Sequence, residues 1–444
     1  VLRNGLVALN TQLFRESQQP QPDQMQLNNL QSKLEKARLA YEAFRVDLYT
    51  AHPELKEQRG EAHTITLAET AILLPDTKTA LLEFMLTEDK CYLFVITKHN
   101  HKMENCCSSN ILLNVYSIDI KQQELVHHIT NFHNMIANKQ PHFVPLSRQL
   151  YDLVIKPAEE PLTGKTTLVI VPDGILWELP FQALRSDKHR YLLDHYAITY
   201  APSLTALREM LKLNNRLYKG KPTLLAFGNP ALDLESKENS RLALLGEKLT
   251  PLPETETLVK KLARLYGANH SKIYVGVNAL EQNVKAEASH YRIVQFATHG
   301  IFDNQNPMYS RIIMSQINNA VNEDGLLEAW ELMNLDFQVD MVVLSACETA
   351  RGRIGEGEGI IGLSWALFVA GCPTTVVSQW KAEVSSTCEL MIEFHRRLQT
   401  KLRPGNNFLA KAEALRQAAL KLRNNIHYRH PFYWTSFIIV GNGW

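Results

Sequence analysis

The sequence has few cysteines for its length, and neither sign of charge dominates. Six cysteines in 444 residues are too few for a disulfide scaffold, and no two of them have the spacing of zinc ligands. We therefore expect a reducing compartment, the cytoplasm. The 47 Lys and Arg residues balance 46 Asp and Glu residues, so the formal charge of +1 gives no electrostatic case for binding nucleic acid or an anionic membrane.

Long apolar runs are also missing. No segment approaches the roughly 18 uninterrupted apolar residues of a membrane span, and no signal peptide is visible at the start. The chain begins at Val1 and not at Met, so we expect it to be a processed or excised piece of a longer protein. Hydrophobic residues nevertheless make up 45% of the sequence, which is enough for a sizeable core.

Short apolar runs recur from Thr166 onwards, and helical patterns lie between most of them. The runs are Leu168 to Val171, Leu224 to Phe227, Ile293 to Ala297, Met341 to Leu344, Thr374 to Val377 and Phe437 to Val440. The helical patterns are Glu256 to Tyr266, Gly359 to Ala370, Ser386 to Leu398 and Phe408 to Leu422. This alternation predicts an α/β fold with a mostly parallel sheet and helices on both of its faces.

The first 160 residues have a different pattern. A heptad stripe from Leu27 to Leu48 predicts one long helix, which is either packed on the main body or the last helix of a repeat array. Two β-rich runs, Leu81 to Leu86 and Cys91 to Thr97, are joined by a hairpin signal, and helical patterns follow them. We therefore predict three parts: a helical segment (1–60), an α+β subdomain (61–160) and the main domain (161–444).

Two reactive side chains come directly after two of the predicted strands. Thr298-His299-Gly300 follows the predicted strand Ile293 to Ala297. Ser345-Ala346-Cys347 follows the predicted strand Met341 to Leu344. The 48 positions between residues 299 and 347 leave room for the crossover that parallel neighbours need, and catalytic groups collect at the carboxyl ends of such strands. A thiolate beside an imidazolium, with the Gly300 N–H as an oxyanion donor, would suit a cysteine–histidine hydrolase. The alternative is that both are ordinary core residues, because free cysteine is often buried.

Other signals favour different chemistry. The run Gly355 to Gly362 contains the G-x-G-x-x-G pattern of dinucleotide-binding proteins. However, its first glycine falls ten residues after Cys347, and Glu356 and Glu358 would repel a pyrophosphate. A dinucleotide-binding protein stays an alternative, and we expect no cofactor. Cys106-Cys107 lies near histidines, but adjacent cysteines chelate one zinc ion poorly, so we expect no metal site.

Two acidic residues follow strand ends near the proposed site. Asp303 and Glu383 are either solvated loop residues or the anionic wall of a specificity pocket.

Several sequence blocks together resemble the CHAT family. The central ones are Phe296-Ala297-Thr298-His299-Gly300, Leu344-Ser345-Ala346-Cys347-Glu348-Thr349 and the glycine-rich run from Gly355 to Gly362. Further matching blocks, in order, are Val171-Pro172-Asp173-Gly174, Leu179-Pro180-Phe181, Tyr200-Ala201-Pro202-Ser203, Asp324-Gly325-Leu326-Leu327 and His430-Pro431-Phe432-Tyr433-Trp434. CHAT proteins are caspase-like cysteine peptidases, often fused to tetratricopeptide repeats and related to separase. The likeness covers residues 75 to 444.

This resemblance implies a caspase-like α/β/α sandwich in which His299 and Cys347 form a catalytic dyad. It implies oxyanion donors from the N–H groups of Gly300 and Cys347, a degenerate caspase-like half at 61–160, and the end of a repeat array at 1–60. Glu383 falls where separase carries an acid that pairs with a substrate arginine, which implies cleavage after a basic residue. Asp173 lies in a matching block, and Trp380 is the tryptophan of a block that departs from the family's pattern in the residues after it. Both become candidate substrate-binding residues, as does Asp303.

The function implied is a cysteine endopeptidase that cleaves a protein substrate and is controlled by a partner or an upstream sensor region. The settings that the resemblance implies are immune defence, programmed cell death or cleavage of one dedicated substrate. The alternative is a catalytically silent interaction module with helical repeats.

Overall fold

The structure is a computed structural model that describes most of the chain from residue 64 onwards. The described residues are 23, 25–30, 32–34, 36–37, 64–99, 110–187, 190–214, 223–233, 249–301, 307–320, 323–345, 358–400 and 410–444. Cys347, Asp303 and residues 355–357 of the glycine-rich run lie outside them. Of the predicted N-terminal helix, the described parts of 25–37 are helical, and Leu30 and Leu34 are buried.

Strands and helices alternate along much of the described chain. The strands are β1 (Thr79–Leu86), β2 (Cys91–Lys98), β3 (Ile111–Ile118), β4 (Thr167–Val171), β5 (Ala197–Tyr200), β6 (Leu224–Pro230), β7 (Ser271–Gly276), β8 (Ile293–Ala297), β9 (Gly300–Ile301), β10 (Arg311–Ile313), β11 (Leu326–Glu328), β12 (Met341–Leu344), β13 (Thr374–Ser378) and β14 (Phe437–Gly441). The helices are α1 (Gln122–Ala137), α2 (Val144–Val154), α3 (Glu159–Leu162), α4 (Leu192–His195), α5 (Leu204–Asn214), α6 (Pro253–Tyr266), α7 (Glu281–Glu287), α8 (Ala329–Leu332), α9 (Glu358–Val369), α10 (Val384–Leu398), α11 (Lys411–Arg423) and α12 (Pro431–Trp434).

One large sheet organises the molecule. Within the described residues it has eleven strands in the order β3-β2-β1-β4-β5-β14-β13-β12-β8-β6-β7. Seven neighbouring pairs are parallel, and three (β1–β2, β2–β3 and β13–β14) are antiparallel. The predicted mostly parallel α/β fold is therefore confirmed.

Helices cover both faces of this sheet. Successive side chains of a strand point to opposite faces, so in β8 Ile293 and Ala297 belong to one core cluster, and Val294 and Phe296 belong to the other. Apolar side chains of α6, α10 and α11 complete the first cluster, and those of α1, α2 and α9 complete the second. This burial on both faces explains why most of the central strands are short runs rich in apolar residues.

The strands of segment 61–160 belong to the same sheet as those of the main domain. β1 and β2 form the predicted hairpin, and β1 pairs in parallel with β4, where Leu81 lies opposite Val169. One core cluster includes both Phe132 of α1 and Phe296 of β8, so the apolar core also crosses residue 160.

A second, three-stranded sheet, β11-β10-β9, begins directly after His299. It depends on Gly325, whose φ of +81° is rarely adopted by other residues. A Cβ at this position would also lie 2.5 Å from the Ser315 carbonyl oxygen. Among the described residues, no helix is both long enough and apolar enough to cross a membrane.

Candidate active site

His299 is held in a fixed position just beyond the carboxyl end of β8. The residue is buried, with 3% of its surface exposed. Its Nε2 lies 2.6 Å from the carbonyl oxygen of Thr250, and its own carbonyl accepts a hydrogen bond from the Ile313 N–H (2.8 Å). A carbonyl oxygen only accepts hydrogen bonds, so Nε2 carries the hydrogen, and a neutral ring has its lone pair on Nδ1.

The neighbouring strand leads to Cys347. β12 pairs in parallel with β8, and Leu344 lies opposite Phe296. His299 is three residues beyond Phe296, and Cys347 is three residues beyond Leu344 in the sequence. The last described residue before the cysteine is Ser345, whose N–H donates to the Phe296 carbonyl (2.9 Å).

A cavity of about 200 Å³ opens beside His299. It is lined by Thr250, Leu252, Thr255, Leu258, Thr298, His299, Ser345, Lys381, Ala382, Val384, Thr387 and Cys388. These come from the strand ends, the start of α6 and the segment that leads from β13 into α10. Among the described lining residues, Lys381 carries a formal positive charge and His299 carries one when it is protonated. None of these residues is an aspartate or a glutamate. The lining is otherwise made of apolar, hydroxyl and thiol side chains.

Three of the predicted substrate-binding residues have contacts away from this lining. Glu383 precedes α10, where its carboxylate accepts from Ser385 Oγ (3.0 Å) and lies 3.4 Å from Lys139 Nζ. Trp380 is buried, and its indole N–H donates to the Phe432 carbonyl (3.2 Å).

Asp173 follows β4 and accepts a hydrogen bond from the Leu86 N–H (2.7 Å), so it ties the ends of β1 and β4 together. Gly300, the predicted oxyanion donor, is the first residue of β9 and lies opposite Ile312.

Two residues of this site could not be singled out from the sequence. Thr250 acts through its backbone carbonyl, which no residue type reveals. Cys388 lines the cavity four residues into α10, and it was visible only as one cysteine among six. Among the described residues it is one of three cysteines outside any disulfide bond, with Cys91 and Cys372.

The family model of the CHAT domain matches residues 144–442. This chain belongs to the CHAT-domain family. The CHAT chain is 24% identical to human tetratricopeptide repeat protein 28 over 341 residues, and 25% identical to the mouse protein over the same length. Each match covers 67% of the CHAT chain but spans only 13% of the relative.

Two peptidase structures are also similar to this CHAT chain. One is the separase of the Saccharomyces cerevisiae separase–securin complex, with a TM-score of 0.37, 14% identity, and coverage of 66% of this chain and 17% of that one. The other is the Arg-specific cysteine proteinase gingipain R, with a TM-score of 0.42, 9% identity, and coverage of 72% and 74%. At these scores the likeness adds nothing to the sheet topology described above.

Proposed function

We propose that this CHAT chain is a cysteine endopeptidase that cleaves a protein substrate through His299 and Cys347. The observation that carries the proposal is the hydrogen bond between His299 Nε2 and the Thr250 carbonyl, beside a cavity and at the end of β8. An imidazole oriented by a third group, next to the strand that leads to a thiol, is the arrangement that nucleophilic catalysis requires.

The Thr250 carbonyl suits His299 to act as an acid. Because this partner holds Nε2–H, proton exchange with a substrate falls to Nδ1. A carbonyl stabilises the imidazolium through its dipole and carries no full negative charge. The proton on Nδ1 therefore stays transferable to a leaving amine.

The proposed reaction follows from these roles. The Cys347 thiolate adds to the scissile carbonyl carbon, and the electron pair of the C=O bond moves to oxygen. The N–H groups of Gly300 and Cys347 would stabilise that oxyanion. The C–N bond then breaks while the amine takes the proton from His299 Nδ1. Water hydrolyses the thioester, which releases a carboxylic acid and restores the thiol.

The residue before the cut is proposed to be basic, with Glu383 as its partner. Since Lys139 already lies 3.4 Å from that carboxylate, an incoming basic side chain must displace it. Lys139 also lies over the rings of Phe432 (4.5 Å) and Tyr433 (4.7 Å), so this contact opposes the displacement.

The cavity beside His299 favours a competing preference. Lys381 and the apolar and threonine side chains of its lining suit an uncharged substrate residue better than a basic one.

Two variants decide between the basic and the uncharged preference. If Glu383 selects the substrate, Lys139→Met should raise cleavage after Arg and Lys, and Glu383→Gln should lower it. A preference for uncharged residues that neither change alters would remove Glu383 from the proposal.

The central test combines peptide-library profiling with labelling by a peptide-based thiol-reactive probe. Cys347→Ala should abolish both cleavage and labelling. Cys388→Ala is the matched control, because it removes the thiol of the described cavity lining and should leave both signals intact. Burial raises the pKa of Cys91 and of Cys372 to about 12, so neither is a reactive thiolate at neutral pH.

Two results would count against the proposal. Labelling that persists in Cys347→Ala but disappears in Cys388→Ala would place the reactive thiol in α10. A wild-type chain that neither cleaves nor labels would favour the silent interaction module. For an active enzyme we propose a cytosolic site of action, control by a partner or a tetratricopeptide region, and a role in defence or cell death.

A further inference from the structure

Four buried polar side chains form a continuous chain of hydrogen bonds from helix α6 to the candidate site. We call this set the polar chain: Tyr266 of α6, His395 of α10, Gln295 of β8 and Ser345. Tyr266 is 8% exposed, and the other three are 3% exposed or less. The distances are 2.9 Å from Tyr266 Oη to His395 Nδ1, 3.1 Å from His395 Nε2 to Gln295 Oε1, and 2.6 Å from Gln295 Nε2 to Ser345 Oγ.

The direction of every donor in the polar chain follows from one acceptor, the Phe296 carbonyl. Gln295 Nε2 lies 3.3 Å from that oxygen, so the amide nitrogen must face it. The Gln295 oxygen therefore faces His395, whose Nε2 must carry a hydrogen. His395 Nδ1 then accepts from the Tyr266 hydroxyl. Burial lowers the pKa of His395 to about 3, so its ring stays neutral at physiological pH and keeps this tautomer.

The polar chain ends where β8 and β12 end. Ser345 donates to the Phe296 carbonyl through both its N–H (2.9 Å) and its hydroxyl (3.2 Å), and Gln295 fixes the Ser345 side chain from the other side. Ser345 also lines the cavity beside His299. We propose that Gln295, His395 and Tyr266 are positioning residues that hold the exits of β8 and β12 at a fixed separation.

Stability alone does not account for these polar residues. Replacing both partners of a buried hydrogen bond by apolar groups of similar shape is close to neutral. The polar chain does provide a directional link across two strand ends, which dispersion contacts between apolar side chains lack. Catalytic groups displaced by about 1 Å can lose roughly 100-fold in rate, so such a link matters at this position.

The test replaces the polar chain with apolar side chains of similar volume. The variant is Tyr266→Phe/Gln295→Leu/His395→Leu. Its control is Tyr200→Phe/Gln182→Leu, which removes another buried tyrosine–glutamine hydrogen bond (3.0 Å) that lies outside the candidate site. Hydrogen–deuterium exchange at the Ser345 amide reports the link directly. Values of kcat and KM, measured on the best peptide from library profiling, report its effect on the proposed reaction.

The inference predicts that Ser345 amide exchange becomes at least about tenfold faster in the triple variant. It also predicts that kcat falls by about 10- to 100-fold while KM changes by less than about twofold. The control should leave all three values unchanged. Unchanged exchange and kcat in the triple variant would overturn the inference.

The kinetic measurement rests on the proposed function, and the exchange measurement does not. If the wild-type chain neither cleaves peptides nor labels at Cys347, the peptidase proposal fails. Faster Ser345 exchange would still support the positioning role, and unchanged exchange would still refute it.

Discussion

Replacing Lys285 by methionine should destabilise the fold by an amount that depends on pH. The Lys285 ammonium lies 2.6 Å from Glu281, 2.6 Å from Glu323 and 3.1 Å from Glu331. The Glu281 side chain is 1% exposed, and its other carboxylate oxygen accepts from the Gly325 N–H (3.1 Å). Three carboxylates therefore share one cation in a largely buried site.

The expected loss follows from burial and charge. Removing Lys285 changes the formal charge of the group from −2 to −3 and leaves Glu281 without its ion-pair partner. Breaking a buried ion pair by removing one partner costs about 3–5 kcal/mol. The Lys285 side chain is 24% exposed, so solvent screens part of this loss. We expect the free energy of unfolding to fall by about 3 kcal/mol at pH 7.5.

The pH dependence has a definite sign. Burial, and then the charge of Glu331, raise the pKa of Glu281 in the folded protein. A carboxyl with a raised folded pKa binds its proton more tightly in the folded state, so this stabilisation is lost as the pH rises through the folded pKa. Lys285 opposes the shift, and its removal raises the pKa further. The deficit of Lys285→Met should therefore shrink between pH 7.5 and pH 5.

Urea unfolding followed by tryptophan fluorescence at both pH values measures this deficit. Lys260→Met is the matched control, because Lys260 pairs with Glu256 at 2.6 Å on an exposed helix surface. Its loss should stay below about 0.5 kcal/mol at either pH. A Lys285→Met deficit no larger than that of the control, or one that grows as the pH falls, would refute the reasoning.

Three further changes have expected outcomes that thermal or urea unfolding can measure. Gly441→Ala should lower the free energy of unfolding by more than about 2 kcal/mol, because φ is +97° and the new Cβ would collide with the Pro373 carbonyl. Gly267 has a similar φ of +88° but open space around it, so Gly267→Ala should lower the free energy of unfolding by only about 1 kcal/mol. His395→Gln should flatten the loss of stability below pH 6.5 by up to about 1.4 kcal/mol per pH unit, because a histidine with a lowered folded pKa destabilises the fold as the pH falls. Phe394→Ala should cost about 3–5 kcal/mol, because this fully buried ring would leave a cavity in the core.

The central strands could be predicted because they are buried on both faces. The bounds predicted for β8 and β12 are those of the structure, since each strand is an apolar run, interrupted in β8 only by Gln295, between polar or small residues. β7 was missed because it is an edge strand whose residues are mostly half-buried, so it lacks such a run. β5 was missed for another reason: its fully buried Thr199 and Tyr200 are polar, and only the fold supplies their hydrogen-bond partners.

The features of the candidate site could likewise be predicted only where they are local in the sequence. The place of His299 at a strand end could be read from the sequence, because a strand period and a following small residue are local features. The Thr250 carbonyl that orients the ring could not, because a backbone atom 49 positions away leaves no residue signal. Gln295 was visible as a polar residue within an apolar strand. Its hydrogen-bond partner His395 lies 100 positions away in the sequence, and only the packing of α10 on the sheet brings the two side chains together.

The segment between β13 and α10 links the cavity to the N-terminal half of the described chain. One side of this segment supplies Lys381 to the cavity lining. Its other side contacts α1 and the residues that follow, because His133 Nε2 lies 3.4 Å from the Gln379 carbonyl and Lys139 pairs with Glu383. A displacement of α1 would therefore strain this wall of the cavity even without any contact to His299. A partner that bound α1 differently in two states of the chain would therefore act on this wall of the cavity.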